Sequence, residues 1–583
     1  MPIPRSPYTG PSTKLVLAFD IGTTYSGVSY ALLDPGIVPE IKSVGRFLDN
    51  RTIGNFKISS VLFYDHDGSF RGVKGTIDDD EAEDLHQVRW WKLKLSPGEL
   101  PATVKKHMTA ELPKGKSLQD VFTDFIRYLF DSAKAFIQEC EPVGKELWES
   151  LESNIDLILS HPNGWEGREQ GFLRKSVVQA SIFTEEEALS RVSFVTEGEA
   201  TFNFCVTNTK SGESLNPGHK VLIVDAGGGT IDISSYTVNS TSPLEVEEFQ
   251  EPKCFYQGGE VVTARAREYA EGRLKNSKFD NKQDLAGLAE SFDTGLKTTF
   301  SDSSKTQYVK FGSLRDNDTR CGVKAGKLSF LGDQVAKFFG PSVNAVVEGI
   351  KGVTAETDTA NTFVFLAGGF GASPWIFQEV GRVIAAQGLK LSRPDTQTNK
   401  AVADGAVSYY LDHFVVGRIV RYTYGTQGST GFNPLNPEHR RRAHKRYLGI
   451  IGEIQLDVFS PTLFKGTRVS GTQEFRKKVA GISLTPPVAI ELLKFPVIRY
   501  TGKLKEPQWM DEEEDKFQTM AHISVDATKA PYITGMSLLG FPIFIQEFEV
   551  IYIYGQTEFK AQLAWMEDDV EKRSDVAVLY DDD

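Results

Sequence analysis

Apolar residues along this chain follow two rhythms. From Lys14 to about Tyr410, short apolar runs bounded by turns alternate with longer stretches of helical spacing. LVLAFD ending at Asp20, YSGVSYALL from Tyr25, VLIVD ending at Asp225 and IDISSYTV from Ile231 predict strands, as do NIDLILSHP from Asn154 and NTFVFLAGG from Asn361. SLQDVFTDFIRYLFDSAKAFIQEC from Ser117 and LGDQVAKFFGPSVNAVVEGI from Leu331 repeat apolar residues three and four apart and predict helices. Beyond about Leu411 the helical spacing fades into short alternating segments separated by Pro/Gly/Asn turns. GIIGEIQLDVF from Gly449, PVAIELLKF from Pro487 and EVIYIYG from Glu549 are examples, and all three predict strands.

Within the first rhythm a pattern recurs: apolar strand, glycine/threonine turn, second strand. IGTT follows Asp20 as AGGGT follows Asp225, so the two aspartates hold corresponding places. The expected organisation is a mobile tail over 1–13, an α/β region over 14–410 in two halves (about 14–220 and 221–410), a junction over 411–424, and a β-rich domain over 425–583.

Composition narrows the partners. A net charge of -13 repels phosphate backbones, which argues against chain-wide binding to nucleic acid or an anionic membrane. No apolar run reaches membrane-spanning length, and MPIPRSPYTGPST lacks the apolar core of a signal peptide. Cys140, Cys205, Cys254 and Cys321 are scattered without a C-x-x-C pair, against a zinc site or a disulfide framework. A cytoplasmic monomer is expected, and the sequons at Asn50, Asn239 and Asn317 would then stay unmodified. HRRRAHKR from His439 could be a nuclear-import or anionic-partner patch, or, like DEEED from Asp511, a solvated loop; the loop is the expectation.

The glycine turns carry the chemistry. A phosphate needs donors around its oxygens, and backbone N–H groups of Gly22, Gly227, Gly228 and Gly229 can approach it without side chains in the way. Thr23, Thr24 and Thr230 add hydroxyls, and Asp20, Asp225 and Asp232 place carboxylates where magnesium could be held through its waters. One such turn alone reads as an ordinary tight hairpin; two related by repetition favour a phosphate clamp. A third turn, FLAGGFGASPW from Phe365, offers Gly368 and Gly369 to a flat base, or is simply a strand-end turn.

These segments, in this order, resemble the actin, hexokinase and heat-shock ATPase superfamily. TTYSGVSY and VDAGGGTIDIS are similar specifically to the seventy-kilodalton heat-shock protein family, in a divergent form. The resemblance implies a two-lobed actin-like ATPase built from duplicated ribonuclease-H-like halves, over about Lys14 to Tyr410, followed by a β-rich substrate-binding-like domain. It implies ATP or ADP with Mg²⁺ as ligands, extended or unfolded polypeptide as partner, and co-chaperones. Asp20, Gly22, Thr23, Thr24 and Tyr25 would form the first phosphate loop, and Asp225, Gly227, Gly228, Gly229, Thr230 and Asp232 the second, with Asp20 and Asp225 on magnesium through water. Glu197 in TEGEA would hold or activate water, and the catalytic lysine falls in RWWKLKL, as Lys92 or its neighbour Lys94. YQGGE would supply Gly258, Gly259 and Glu260; FDTGLKTTF would supply Asp293 and Lys297 to the adenosine.

Departures from the family pattern cluster at the base. Phe370 replaces a small hydroxyl residue, Ala372 an arginine and Leu296 a lysine, while Asn399 stands for an aspartate in the closing segment. FKGTRVSGTQEF from Phe464 resembles the entry to the family's β-sandwich only faintly. The chain reaches LYDDD without a long amphipathic helix, so the family's helical lid is expected to be missing, and the junction lacks the family's acidic, leucine-rich linker. Pro162 in SHPNGW matches a family proline between the lobes, or is a plain loop proline. Besides an ATP-dependent chaperone-like protein, the readings are a nucleotide-gated interaction protein with little hydrolysis, a small-molecule kinase of the same superfamily, and an actin-like filament former.

Overall fold

The structure, a computed structural model, describes residues 5–578 except 51–55, 97–99, 108–110, 209–214, 356–358, 395–397, 472, 491, 555–557 and 575–576. It is a mixed α/β protein with several sheets. Two units are distinguished: residues 1–165 with 172–415, and 166–171 with 416–583.

In the first unit, β1 (Lys14–Asp20) and β2 (Tyr25–Leu33) form an antiparallel hairpin; β3 (Ile155–His161) adds parallel to β1, and β4 (Val192–Thr196) parallel to β3. A second sheet repeats this wiring. β5 (Lys220–Ala226) and β6 (Ile231–Thr241) form the hairpin, with β7 (Leu244–Glu248) beyond β6. β8 (Thr362–Ala367) runs parallel to β5, and β9 (Lys390–Ser392) parallel to β8. The central strands are buried on both faces, which is why they read as continuous apolar runs. Leu15, Leu17 and Phe19 enter one core with Phe122 and Phe125 of α1 (Leu118–Cys140), while Val16 and Ala18 enter another. Ser117 caps α1 by accepting from Asp120 N, and the Asp120 carboxylate returns the bond.

Helix α2 (Glu197–Asn208) is buried from Glu197 to Thr207. Its Phe202 and Cys205 pack on the second sheet and its Ala200 on the first, beside Val402 and Ala406. Helix α3 (Gly259–Leu274) and helix α4 (Gly332–Thr354) cover the second sheet, and α5 (Ala401–Asp412) crosses α2.

The second unit holds two antiparallel sheets. β10 (Thr423–Gly431), β11 (Tyr447–Leu448), β12 (Ile454–Leu463), β14 (Leu493–Tyr500) and β15 (Phe517–Val525) make one, in the order β11-β12-β10-β14-β15. β13 (Glu474–Ser483), β17 (Pro542–Tyr554), β18 (Phe559–Glu567) and β19 (Val570–Arg573) make the other, with β16 (Ile533–Met536) paired to β17. Tyr424, Leu463 and Val497 of the first meet Phe548, Val550 and Leu563 of the second in one core.

Several expectations are corrected. Residues 5–13, expected as a mobile tail, are tied down: Arg5 Nε donates to Asp412 at 3.0 Å, and Gly36 N donates to Tyr8 O at 2.8 Å. PVAIELLKF is not one strand. Pro486 and Pro487 lack N–H groups, Pro487–Ala489 forms a single 3-10 turn, and β14 starts only at Leu493. The expected junction 411–424 is built from the end of α5, a strand over Val415–Ile419 and the start of β10. HRRRAHKR and DEEED are not two separate solvated loops. Arg442, almost fully buried over the Trp509 ring, donates to Asp511 and Glu512 at 2.8 Å each and to Glu438 at 2.6 Å. A guanidinium enters such a position only with carboxylates around it, which explains why the two opposite blocks pair. LYDDD lies outside the described residues apart from its approach through 577–578.

Candidate functional site

The hairpin turns define the site. Gly227 N donates to Thr230 O at 2.9 Å, closing the second turn, and the carbonyls of Gly227, Gly228 and Gly229 accept from the N–H groups of Gly259, Glu260 and Gly258 at 3.0, 2.9 and 3.2 Å. A trans peptide points its N–H opposite its C=O. With the carbonyls turned to the start of α3, the N–H groups of Gly228, Gly229 and Thr230 face the other way, a row of donors suited to an anion. The first turn stands directly across: a Cβ on Gly228 would collide with Thr24 Oγ1, and one on Gly229 with Thr23 Oγ1. The third turn closes on the second. Phe370 N donates to Ala226 O at 2.9 Å, and Gly368, at φ +81°, has no room for a Cβ against the Asp225 carboxylate.

Together these turns line a cleft of about 360 Å³. Of the expected residues, Asp20, Gly22, Thr23, Thr24, Tyr25, Lys92, Glu197, Asp225, Gly227, Gly228, Gly229, Thr230, Gly368 and Gly369 lie on its wall. Lys92, 4% exposed, sits on the 3-10 turn Trp91–Leu95. Its Nζ donates to Glu197 Oε1 at 2.7 Å and lies over the Trp165 ring at 5.3 Å, whereas Lys94 is exposed. Thr201 of α2 donates to Asp225 Oδ2 at 3.0 Å.

The remaining expected residues stand off the cleft. Asp232, directly across the hairpin from Asp225, is buried and accepts from Asn163 N at 2.7 Å. Gly258, Gly259 and Glu260 brace the turn from behind through their backbones. Glu260 also accepts from Trp90 Nε1 at 2.9 Å and sits 3.7 Å from Lys297, which pairs with Asp293. Glu260 and Asp293 line a smaller neighbouring hollow of about 110 Å³ that shares Thr23, Thr24 and Tyr25 with the cleft. Phe370, 6% exposed, is stacked on Phe339 in the second sheet's core and offers no face to the cleft.

Electrostatics mark the same place. Burial, followed by Glu197 and Asp232, pushes the Asp225 carboxyl well above its ordinary range, and burial with Glu197 raises Asp232 to about 7. Among the described residues no group of three His, Cys, Asp or Glu is placed to grip a metal ion directly. Buried carboxylates that disfavour one another's charge while facing a hollow large enough for water suit a hydrated divalent cation. Magnesium, which keeps several waters, fits Asp20 and Asp225 in this sense.

Three lining residues were not among the expected site residues: Lys57, Asn399 and Val402. Lys57 Nζ lies 2.5 Å from Asp20 Oδ2. Burial works to lower its pKa, but Asp20, with Asp225 and Glu197 beyond, outweighs this and raises it. No glycine turn or repeat flags Lys57; the pairing of Ile58–Ser59 with β2 brings it there.

No protein-family model matches the chain, and no curated protein matches it. No described helix is long and apolar enough to cross a membrane.

Proposed function

We propose that the chain is an ATP-binding protein of the seventy-kilodalton heat-shock type, which hydrolyses ATP with magnesium and uses its β-rich unit to hold extended polypeptide. The observation that carries this reading is the pair of glycine/threonine turns facing each other in one cleft, Thr23 and Thr24 against Gly229 and Gly228, with the Lys92–Glu197 pair on its wall. The repeated strand wiring of the two sheets supports a two-lobed, actin-like arrangement of duplicated halves.

In this reading Thr23, Thr24 and Thr230 and the N–H row of Gly228 and Gly229 bind the phosphates from both sides. Asp20 and Asp225 would hold Mg²⁺ through its waters, and the ion supplies positive charge against the phosphate oxygens. Lys92 places an ammonium against charge that grows on the transferring phosphoryl group, and Glu197, fixed by Lys92, orients the attacking water and receives its proton. Asp232 sits behind Asp225 and orders the hairpin. Exposed apolar residues of the β-rich unit support a polypeptide partner: Met536, Leu538, Leu539 and Phe541 stand beside Leu448 and Ile450, tied by Leu538 N donating to Ile451 O at 2.8 Å. Phe370, withdrawn into the core, favours as second reading a nucleotide-gated interaction protein with loose base selection.

Phosphate release from ATP and magnesium by the purified chain tests the proposal. Release is expected, rising when an extended apolar peptide is added, and falling by about 100-fold or more in Asp225→Ala and Thr230→Ala. Binding without release moves the chain to the second reading, and release only when a sugar or acid acceptor is added would make it a small-molecule kinase.

A further inference from the structure

The cleft contains a cation that the phosphate motifs do not require. Lys57 precedes Ile58–Ser59, which pairs antiparallel with the start of β2 through Ser26↔Ile58 and Tyr25↔Ser59. Ser60 N continues the contact by donating to Thr24 O at 2.8 Å, and Ser60 Oγ meets Ser26 Oγ at 2.9 Å. The backbone therefore fixes where this lysine starts, next to the first phosphate turn. Its ammonium ends 2.5 Å from Asp20 Oδ2, in a side chain only 20% exposed, on the wall shared by Lys92, Glu197 and Asp225.

Asp20 is one of the two carboxylates offered to a hydrated magnesium ion, so Lys57 already occupies its charge. The cleft wall carries three carboxylates, Asp20, Glu197 and Asp225, against two ammoniums, Lys57 and Lys92. With both lysines in place the wall sums to one negative charge, against two without Lys57, so a phosphate chain entering it is repelled less before any metal arrives. This reduces what a divalent cation adds to binding.

We propose that Lys57 is a built-in counter-cation of the nucleotide site, which neutralises Asp20 and pairs with the entering phosphate, so that nucleotide binding depends only weakly on magnesium. The proposal rests on the nucleotide reading above and deepens it. Lys57 is a positioning and charge-compensating residue here; the chemistry on the phosphoryl group is left to Lys92 and Glu197.

The test is binding of a fluorescent ATP analogue to the full chain, in excess magnesium and in EDTA, for the wild type, Lys57→Met, Lys57→Arg and Asp20→Asn. The wild type is expected to lose less than about tenfold in affinity on chelation. Lys57→Met should lose about 100-fold or more on chelation while its magnesium-loaded affinity shifts by less than about tenfold. Lys57→Arg should track the wild type. Asp20→Asn, which removes the carboxylate that Lys57 neutralises, should show no greater need for magnesium than the wild type; it also keeps the test alive if Lys57→Met fails to fold. A purely structural lysine would weaken binding equally in both buffers, and that outcome, or a wild type that binds only with magnesium, overturns the inference. A wild type that binds no nucleotide in either buffer overturns the nucleotide reading itself and this inference with it.

Discussion

Glu169 shows how a single buried acid sets a pH response. It is 3% exposed, and burial raises its pKa from 4.5 to about 7 despite the Glu166 N–H, which donates to Oε2 at 3.0 Å. A carboxyl whose folded pKa is raised favours the folded state when protonated. Its contribution is full below about 4.5 and is lost as pH rises through about 7. Glu169→Gln should therefore match the wild type near pH 5 and be more stable near pH 8, by on the order of 1–3 kcal/mol, in urea melts at the two pH values. An equal difference at both would contradict the assignment. At this scale the sequence exposed the residues that repeat, Asp20 with Asp225 and Thr24 with Thr230, because repetition is visible in one dimension. Lys57 was hidden because its site is created by strand pairing, and Phe370 was read toward the base although the packing of Phe339 draws it inward.

Elements were legible where burial was one-sided or complete in a simple way. The doubly buried strands and the amphipathic α1 follow directly from spacing. Helix α2 carries no such stripe, because it is buried along nearly its whole length; Asn203 and Thr207 bond within the helix, Asn203 Nδ2 to Glu199 O at 2.8 Å and Thr207 Oγ1 to Asn203 O at 2.7 Å, while Thr201 and Glu197 bond to Asp225 and Lys92. Its packing against α5 depends on close backbone approach, since a Cβ on Gly405 would overlap Ala200 O. Gly405→Val should overpack this crossing and cost about 1–3 kcal/mol, measured as a lowered urea midpoint, with Gly405→Ala milder. Because Ala200 lies one turn from Glu197, nucleotide affinity should fall with it. A valine at 405 that leaves both unchanged would show that the two helices are not locked where they cross.

For the whole molecule, the sequence foretold an α/β region with a repeated strand-turn-strand unit and a β-rich region after it, and the two sheets share one wiring while the last unit is two antiparallel sheets. What it could not foretell were contacts between distant segments, such as the union of the Arg442 and Asp511 charge blocks, which no local pattern encodes. The central claim is that both glycine turns bind one nucleotide. Thr24 and Thr230 sit on opposite turns of the same cleft, so each hydroxyl should contribute on its own. Calorimetric titration of ATP with magnesium into the wild type, Thr24→Val, Thr230→Val and the double variant tests this. One site per chain is expected, about tenfold weaker in each single variant and about 100-fold weaker in the double. Absence of binding to the wild type, or binding indifferent to one of the two turns, would contradict it.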